Sequence, residues 1–251
     1  MIRPRHALRR WPAPLLLALL AGPAGAQEND ARNECRRTPS LSAGPALAFG
    51  RIAAPGRTAF VKDGLARAGC PGPDPACRER AYLVPGDGVI LGERRGAWIC
   101  ATYQGDKDDM GRTGWLPADA VAVETAPAVA PEGWLGTWLG TWTRAEAQIR
   151  VIPGGRPGTV SVEGGATWGG GDPDRVARGG VHIGEIAGTV APAGDSASFA
   201  MGESETLPVE KGDPADCKVW LRRLGPWLVV DDNLACGGVN VTFRGVYRRR
   251  P

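Results

Sequence analysis

The stretch from Val239 to Tyr247 reads Val-Asn-Val-Thr-Phe-Arg-Gly-Val-Tyr and alternates apolar with polar residues. Successive side chains of a strand point to opposite faces of a sheet, so this period of two predicts a strand with one buried face. That face would carry Val239, Val241, Phe243 and Tyr247, and Asn240, Thr242 and Arg244 would lie on the other. The sequence therefore predicts a strand that closes an antiparallel sheet.

Similar patterns recur upstream. Residues 145–151 alternate in the same way until Pro153, and the further strand candidates are Thr159–Glu163, Val181–Val190, Ser196–Met201, Lys218–Leu224 and Trp227–Val230. With 37 Gly and 22 Pro in the chain, nearly every apolar run is interrupted before it reaches helical length. These features predict an all-β protein with an antiparallel barrel or sandwich at 134–250. The Gly-rich segment Gly164–Asp174 is predicted to be a long mobile loop.

Residues 1–26 have the pattern of a secretory signal peptide. Four arginines precede the Leu-rich run Leu15–Leu20, and Ala24-Gly25-Ala26 follows as the cleavage pattern. The mature chain is expected to begin at Gln27, in the periplasm or outside the cell. Because the run is too short for a membrane span and no Cys starts the mature chain, we expect no membrane anchor.

The charge of the mature chain argues against a nucleic-acid partner. Removing the four arginines of the signal peptide takes the formal net charge from +3 to −1. A nearly neutral chain has no general attraction for the phosphate backbone.

All six cysteines lie in the mature part, and an even number of cysteines in an exported chain predicts disulfides. Cys70 and Cys77 bracket a short Pro-rich segment and are predicted to pair. Cys217 and Cys236 should pair if the two halves fold independently, which leaves Cys35 with Cys100. This is one of 15 possible connectivities. A metal site is not expected, since the cysteines lack Cys-x-x-Cys spacing and the mature chain has a single histidine.

The segment Glu124–Gly133 carries two prolines and no periodicity, which is typical of a semi-rigid linker. We therefore predict a first domain at 34–123 and a second domain at 134–250, with the linker at 124–133.

The order of turns and strands from Arg80 to Val123 resembles a bacterial SH3-like (Src-homology-3-like) barrel. The resemblance rests on Trp98 at the start of a central strand and on Trp115-Leu116-Pro117 before a one-turn helix. It implies a groove lined by Tyr82, Trp98, Trp115 and Pro117 that binds peptidoglycan or another envelope polymer. Eukaryotic members of the family have an aromatic residue at the position of Ala120. Its absence here argues against a Pro-rich peptide as the ligand. The alternative is that Trp98 and Trp115 fill a small core.

In the second half, Trp and Gly alternate from Trp134 to Trp142, which favours a strand over a helix. The repeated Gly-Thr-Trp is similar to the first strand of lipocalin and avidin-like barrels. That resemblance implies a small apolar ligand inside the barrel, in contact with Trp138, Trp142 and Phe243. It also implies an arginine of a late strand, here Arg244, that packs across the Trp of the first strand. The segment from Asp231 to Arg248 also resembles the ends of uncharacterised exported bacterial domains, which names no activity.

Candidates for catalysis are few. His182 is the single histidine of the mature chain and shares a strand face with apolar residues, which is more typical of a hydrogen-bonded or surface residue than of a base. A pair of carboxylates could come from Asp172, Asp174, Asp231 and Asp232, all in predicted turns, where Asp is expected anyway. We therefore expect neither an enzyme nor a cofactor.

The leading hypothesis is a non-catalytic exported envelope protein that binds peptidoglycan or a protein partner through the SH3-like domain. The alternatives are a carrier of a small apolar ligand in the second barrel, a hydrolase with two carboxylates in a cleft, and a secreted inhibitor of a lytic enzyme.

Overall fold

The computed structural model describes residues 35–36, 39–42, 46–105, 111–125, 140–144 and 146–250. Within them the chain forms two antiparallel sheets and little helix, so the predicted all-β class is confirmed. The predicted signal peptide, the linker from residue 126 and Trp138 lie outside the described residues.

The first sheet has seven strands, in the order β3-β2-β6-β5-β4-β1-β7. They are β1 (Ala48–Ile52), β2 (Thr58–Val61), β3 (Arg78–Leu83), β4 (Gly88–Arg95), β5 (Trp98–Gln104), β6 (Gly111–Pro117) and β7 (Val121–Glu124). Single 3₁₀ turns at Pro75–Cys77 and Ala118–Ala120 precede β3 and β7.

The second sheet has nine strands, in the order β11-β10-β9-β8-β16-β15-β14-β12-β13. They are β8 (Gly140–Arg144), β9 (Ala147–Pro153), β10 (Val160–Trp168), β11 (His182–Val190), β12 (Ser196–Met201), β13 (Thr206–Leu207), β14 (Cys217–Leu224), β15 (Trp227–Asp232) and β16 (Gly245–Arg249). A short helix, α1 (Pro173–Ala177), separates β10 from β11.

The second sheet curls until its two edges approach each other. The backbone N–H of Thr189 on β11 donates to Thr206 Oγ1 on β13 over 3.0 Å, and that of Ala187 donates to Met201 Sδ over 3.4 Å. No strand ladder joins these edges within the described residues, so the sheet does not close as a barrel.

The sheets pack against each other through a shared core. Phe49 and Ile90 of the first sheet belong to one buried cluster with Trp227, Val229 and Val246 of the second. The Phe49 and Trp227 rings meet edge to face with centroids 5.7 Å apart, a favourable aromatic geometry. Because Leu228 and Val230 point into the other core, β15 is buried on both faces.

The turn between β14 and β15 permits this close packing. Gly225 has a φ of +57°, and a Cβ on it would lie 2.6 Å from the Phe49 ring. A glycine is therefore required here both by the backbone conformation and by the approach of the first sheet.

The three predicted disulfides are confirmed. Cys35 is bonded to Cys100, Cys70 to Cys77, and Cys217 to Cys236. The first two belong to the first sheet and the third belongs to the second. Since Cys35 and Cys100 are 65 residues apart, their bond closes a long loop of the chain.

Two sequence predictions are wrong in part. Residues 164–168 were expected in a loop but belong to β10, where Gly164 leaves room for Ile186 of β11, whose Cγ1 would be 2.9 Å from an added Cβ. The last strand begins at Gly245 rather than at Val239, which is 71% exposed. Asn240 has a φ of +67° and forms a turn with Val239, and residues 241–244 have no regular structure, so the predicted strand does not form before Gly245.

Replacing Trp227 with Ala would leave a cavity between the two sheets. We expect Trp227→Ala to lower the free energy of unfolding by about 3–5 kcal/mol, the usual cost of truncating a buried Trp. Urea unfolding of the oxidised chain, followed by circular dichroism, measures this loss. Val123→Ala, at a position 61% exposed, is the control and should change little. A loss below about 1 kcal/mol for Trp227→Ala would contradict the shared core.

Candidate functional site

The four residues of the predicted groove do not form one open surface. Trp115 is fully buried in a cluster with Val61 and the first two disulfides, so its ring fills the core, as in the alternative interpretation. Trp98 is half-buried at the margin of this cluster, and Tyr82 is 43% exposed. The groove prediction therefore does not extend to Trp115.

Disulfide-bonded segments cover Trp115. The bond from Cys35 to Cys100 joins an N-terminal segment to the strand next to Trp115, and Cys70–Cys77 closes the loop that follows β2. An ion pair from Arg36 to the buried Asp63 carboxylate connects these two covering segments. Burial alone would raise the pKa of Asp63, but hydrogen bonds from Arg36 and the Ala66 N–H lower it below its usual value.

Trp98 forms the exposed margin of this covered face. It lies opposite Pro117 of β6 and opposite Arg95 of β4. We call Trp98, Pro117 and Arg95 the Trp98 rim. Tyr82 is on the distant strand β3, where the Arg57 guanidinium lies 4.3 Å from its ring centre. The exposed aromatic surface is therefore split into two places.

The predicted interior of the second barrel is occupied by packed side chains where the structure describes it. Phe243 is fully buried in the core with Phe199 and Tyr247. Trp142 lies in β8, opposite Arg249 of β16. Arg244 does not point into this core, because its guanidinium Nε donates to Asp231 Oδ1.

Asp231 and Asp232 were predicted in a turn, and this prediction is wrong. Both end strand β15 and are at most 1% exposed. Neighbouring residues of a strand point to opposite faces, so the two carboxylates have different partners and do not converge as a catalytic pair.

The Asp231 carboxylate binds a segment nearly 190 residues away. Its Oδ2 accepts hydrogen bonds from the hydroxyls of Ser40 and Ser42, both at 2.7 Å, and from the N–H groups of Leu41 and Ser42, both at 2.9 Å. We call this arrangement the Asp231 clamp. Burial alone would raise the pKa of Asp231, but the donors from Ser42, Ser40 and Arg244 outweigh it and hold the pKa at about 2.

Asp232 stabilises the turn that replaces the predicted strand. Its carboxylate accepts hydrogen bonds from the Leu234 N–H, the Thr242 hydroxyl and the Phe243 N–H. A buried carboxylate with several donors is satisfied without a ligand, so this residue has a structural role.

The other candidates for catalysis also have structural partners. Asp172 accepts hydrogen bonds from the N–H groups of Asp174 and Arg175 and thereby caps α1. His182 Nδ1 is within hydrogen-bonding distance of the Val239 carbonyl, and its ring lies against Trp168. The description of His182 as a hydrogen-bonded residue is confirmed.

The Asp231 clamp and the Arg36–Asp63 pair were missed by the sequence analysis. Each joins residues that are far apart in the chain, and no local periodicity marks either pair. The available signal was the position of Asp231 and Asp232 directly after the apolar run Trp227–Val230. Residues at such a position continue a buried strand, so their carboxylates are buried too.

Compared with models of known protein families, with curated proteins and with solved structures, the chain matches none of them. In the described part of the chain, no helix has the length and apolar character to span a membrane. Among the same residues, no three His, Cys, Asp or Glu side chains lie together as a metal site would require.

The depressed pKa of Asp231 makes stability depend on acid pH. Above the ordinary pKa of 3.8, the ionised carboxylate makes its full contribution to the free energy of unfolding. This contribution is lost as the pH falls toward about 2. We expect about 2 kcal/mol of the free energy of unfolding to disappear over this range. Urea unfolding at a series of pH values measures it.

Asp231→Asn should flatten this pH dependence, because the amide does not ionise. Asp213→Asn, at an exposed position between β13 and β14, should keep the wild-type dependence. If Asp231→Asn retained the full loss between pH 4 and 2, the clamp would not be its source.

Proposed function

We propose that this chain is an exported, non-catalytic binding protein of the cell envelope, and that its ligand is peptidoglycan. The observation that carries the proposal is the Trp98 rim. There a partly exposed indole lies beside a proline on a face that two disulfides hold in place. A rigid aromatic side chain at a preorganised surface binds with a small loss of conformational entropy.

The compartment is supported by the disulfides. All six cysteines form disulfides, which persist in oxidising compartments such as the periplasm and the extracellular space. The proposed signal peptide at residues 1–26, cleaved near Ala26, would direct the chain there.

The charge near Trp98 fits an acidic polymer. Arg95 lies opposite Trp98 and forms an ion pair with Glu93 at 4.0 Å, and Arg94 is the exposed neighbouring residue of β4. Peptidoglycan stem peptides carry carboxylates, which these guanidinium groups would attract at the low ionic strength of a binding assay. Stacking on Trp98 would supply the apolar part of the contact.

A role in binding rather than catalysis is supported by the partners of the acidic residues. The carboxylates of Asp231 and Asp232 are buried and accept hydrogen bonds that hold the fold together. A general acid or base must instead be available to a substrate.

A protein ligand is the second candidate for the Trp98 rim, including a lytic enzyme that the chain would inhibit. The same observation favours it, because Trp and Arg are enriched at the centres of protein interfaces. The two ligands are distinguished by whether purified peptidoglycan alone retains the chain.

The test is cosedimentation of the oxidised mature chain with purified insoluble peptidoglycan. We expect the wild type to sediment and Trp98→Ala to bind more than about tenfold more weakly, because an aromatic hot spot contributes about 2 kcal/mol or more. Raising the salt concentration should weaken binding of the wild type.

The matched control is Trp168→Ala, which truncates another half-buried Trp, in the second sheet. Circular dichroism and thermal unfolding establish that each variant is folded. Failure of the folded wild type to sediment would reject peptidoglycan as the ligand, and equal binding by folded Trp98→Ala would reject the Trp98 rim.

A further inference from the structure

A cleft of about 410 Å³ lies between residues 40–41 and 46–47 of the N-terminal segment and the outer face of the second sheet. It is distinct from the Trp98 rim and from the core of the second sheet. Its volume falls in the range of small-molecule sites, roughly 300–1,000 Å³, and such sites commonly lie between packed units.

Strands β12 and β14 form one side of the cleft. Ser196 and Ser198 of β12 lie opposite Arg222 and Trp220 of β14, so four polar or amphipathic side chains share the outward face. The intervening residues Ala197 and Leu221 belong to the inner core. Because these strands are hydrogen-bonded in register, their outward side chains have defined positions.

The opposite side of the cleft comes from the N-terminal segment. Leu41 and Leu47 supply apolar surface there, and Ser40 lies beside Leu41. The Asp231 clamp holds Ser40 and Leu41 through direct hydrogen bonds. The cleft therefore depends on the same buried carboxylate that connects this segment to the second sheet.

The one basic side chain lining the cleft is already neutralised. Arg222 Nε donates to Asp195 Oδ2 over 2.9 Å, and its Nη1 donates to the Leu47 carbonyl over 2.7 Å. With its charge paired, Arg222 offers little attraction to an anion, and the rest of the lining is small, apolar or hydroxylated. An uncharged ligand loses less hydration on entering such a site.

Two polar groups of the cleft have no hydrogen-bond partner among the described residues. They are the hydroxyl of Ser198 and the indole N–H of Trp220, whereas Ser196 donates to Asp195 and Ser40 donates to Asp231. Neither free group is fully buried, so both are available to a ligand.

We propose that this cleft binds an uncharged amphipathic small molecule. The apolar part of the ligand packs against Trp220, Leu41 and Leu47, and a hydroxyl, carbonyl or amine of the ligand bonds to Ser198 or to the indole N–H. The ligand class follows from the paired charge of Arg222, the mainly apolar lining and the two free polar groups. This moves small-ligand binding from the core of the second sheet, where Phe243 is packed, to the outer face.

A matched pair of fluorescent probes tests the proposal. N-phenylnaphthylamine is uncharged and amphipathic, and anilinonaphthalene sulfonate has the same rings with an added sulfonate. We expect saturable one-to-one binding of the uncharged probe to the oxidised mature chain and at least about tenfold weaker binding of the sulfonate. Absence of saturable binding of the uncharged probe would overturn the proposal, and equal affinities would overturn the selection for an uncharged ligand.

Ser198→Phe fills the cleft from an outward-facing strand position. It should weaken binding of N-phenylnaphthylamine by at least about tenfold. Ser161→Phe is the matched control, since Ser161 lies on β10 between the inward-facing Val160 and Val162 and is not in the cleft. Wild-type affinity in folded Ser198→Phe would place the probe elsewhere and reject the site.

Asp195→Asn tests the role of charge. Removing this carboxylate leaves the Arg222 guanidinium without its anionic partner, so the sulfonate probe should gain affinity relative to the uncharged probe. An unchanged ratio of the two dissociation constants would contradict the assignment of Arg222 to the ligand site. Trp98→Ala should bind both probes as the wild type does, which separates this site from the Trp98 rim.

Discussion

The buried carboxylate of Asp231 is the constraint on which the arrangement of the chain depends. A carboxylate removed from water must be surrounded by donors, and here four of them come from Ser40, Leu41 and Ser42. The N-terminal segment is therefore held against the second sheet before it enters the first strand. Arg244 adds a fifth donor from the chain that leads into the last strand. One side chain thus connects both ends of the described chain.

Packing between the sheets extends this connection. Strand β15 is buried on both faces, with Trp227 and Val229 against the first sheet and Leu228 and Val230 against the core of the second. The cleft lies beside this interface, since Leu41 and Leu47 both line the cleft and pack against the core between the sheets. The Trp98 rim lies on another face, which the disulfides shape. The two proposed sites therefore depend on different structural elements and can be tested separately.

Most strands of the second sheet were predictable, because alternation of apolar and polar residues reports a sheet with one buried face. The stretch from His182 to Val190 is an example, with Gly184, Ile186 and Gly188 directed inward. Prediction failed where another interaction replaced the alternation. Between Val239 and Arg244, hydrogen bonds to the Asp232 carboxylate replace the pairing of a strand. At Gly164, the Ile186 side chain packs so closely that a glycine is needed within the strand. Trp115 was predicted to line an exposed groove but is buried, because segments distant in sequence cover it.

The sequence by itself determined the β class, the Cys70–Cys77 pair and most strand positions, since period-two patterns, turn residues and a short cysteine spacing act over short distances along the chain. Only the tertiary structure decided which polar residues are buried and what they bind. Asp231 and Ser40 are far apart in the chain, and nothing local distinguishes an aspartate in a turn from one at the buried end of a strand. The position of the cleft and the covering of Trp115 follow from such long-range contacts, which exist once the two sheets have packed together.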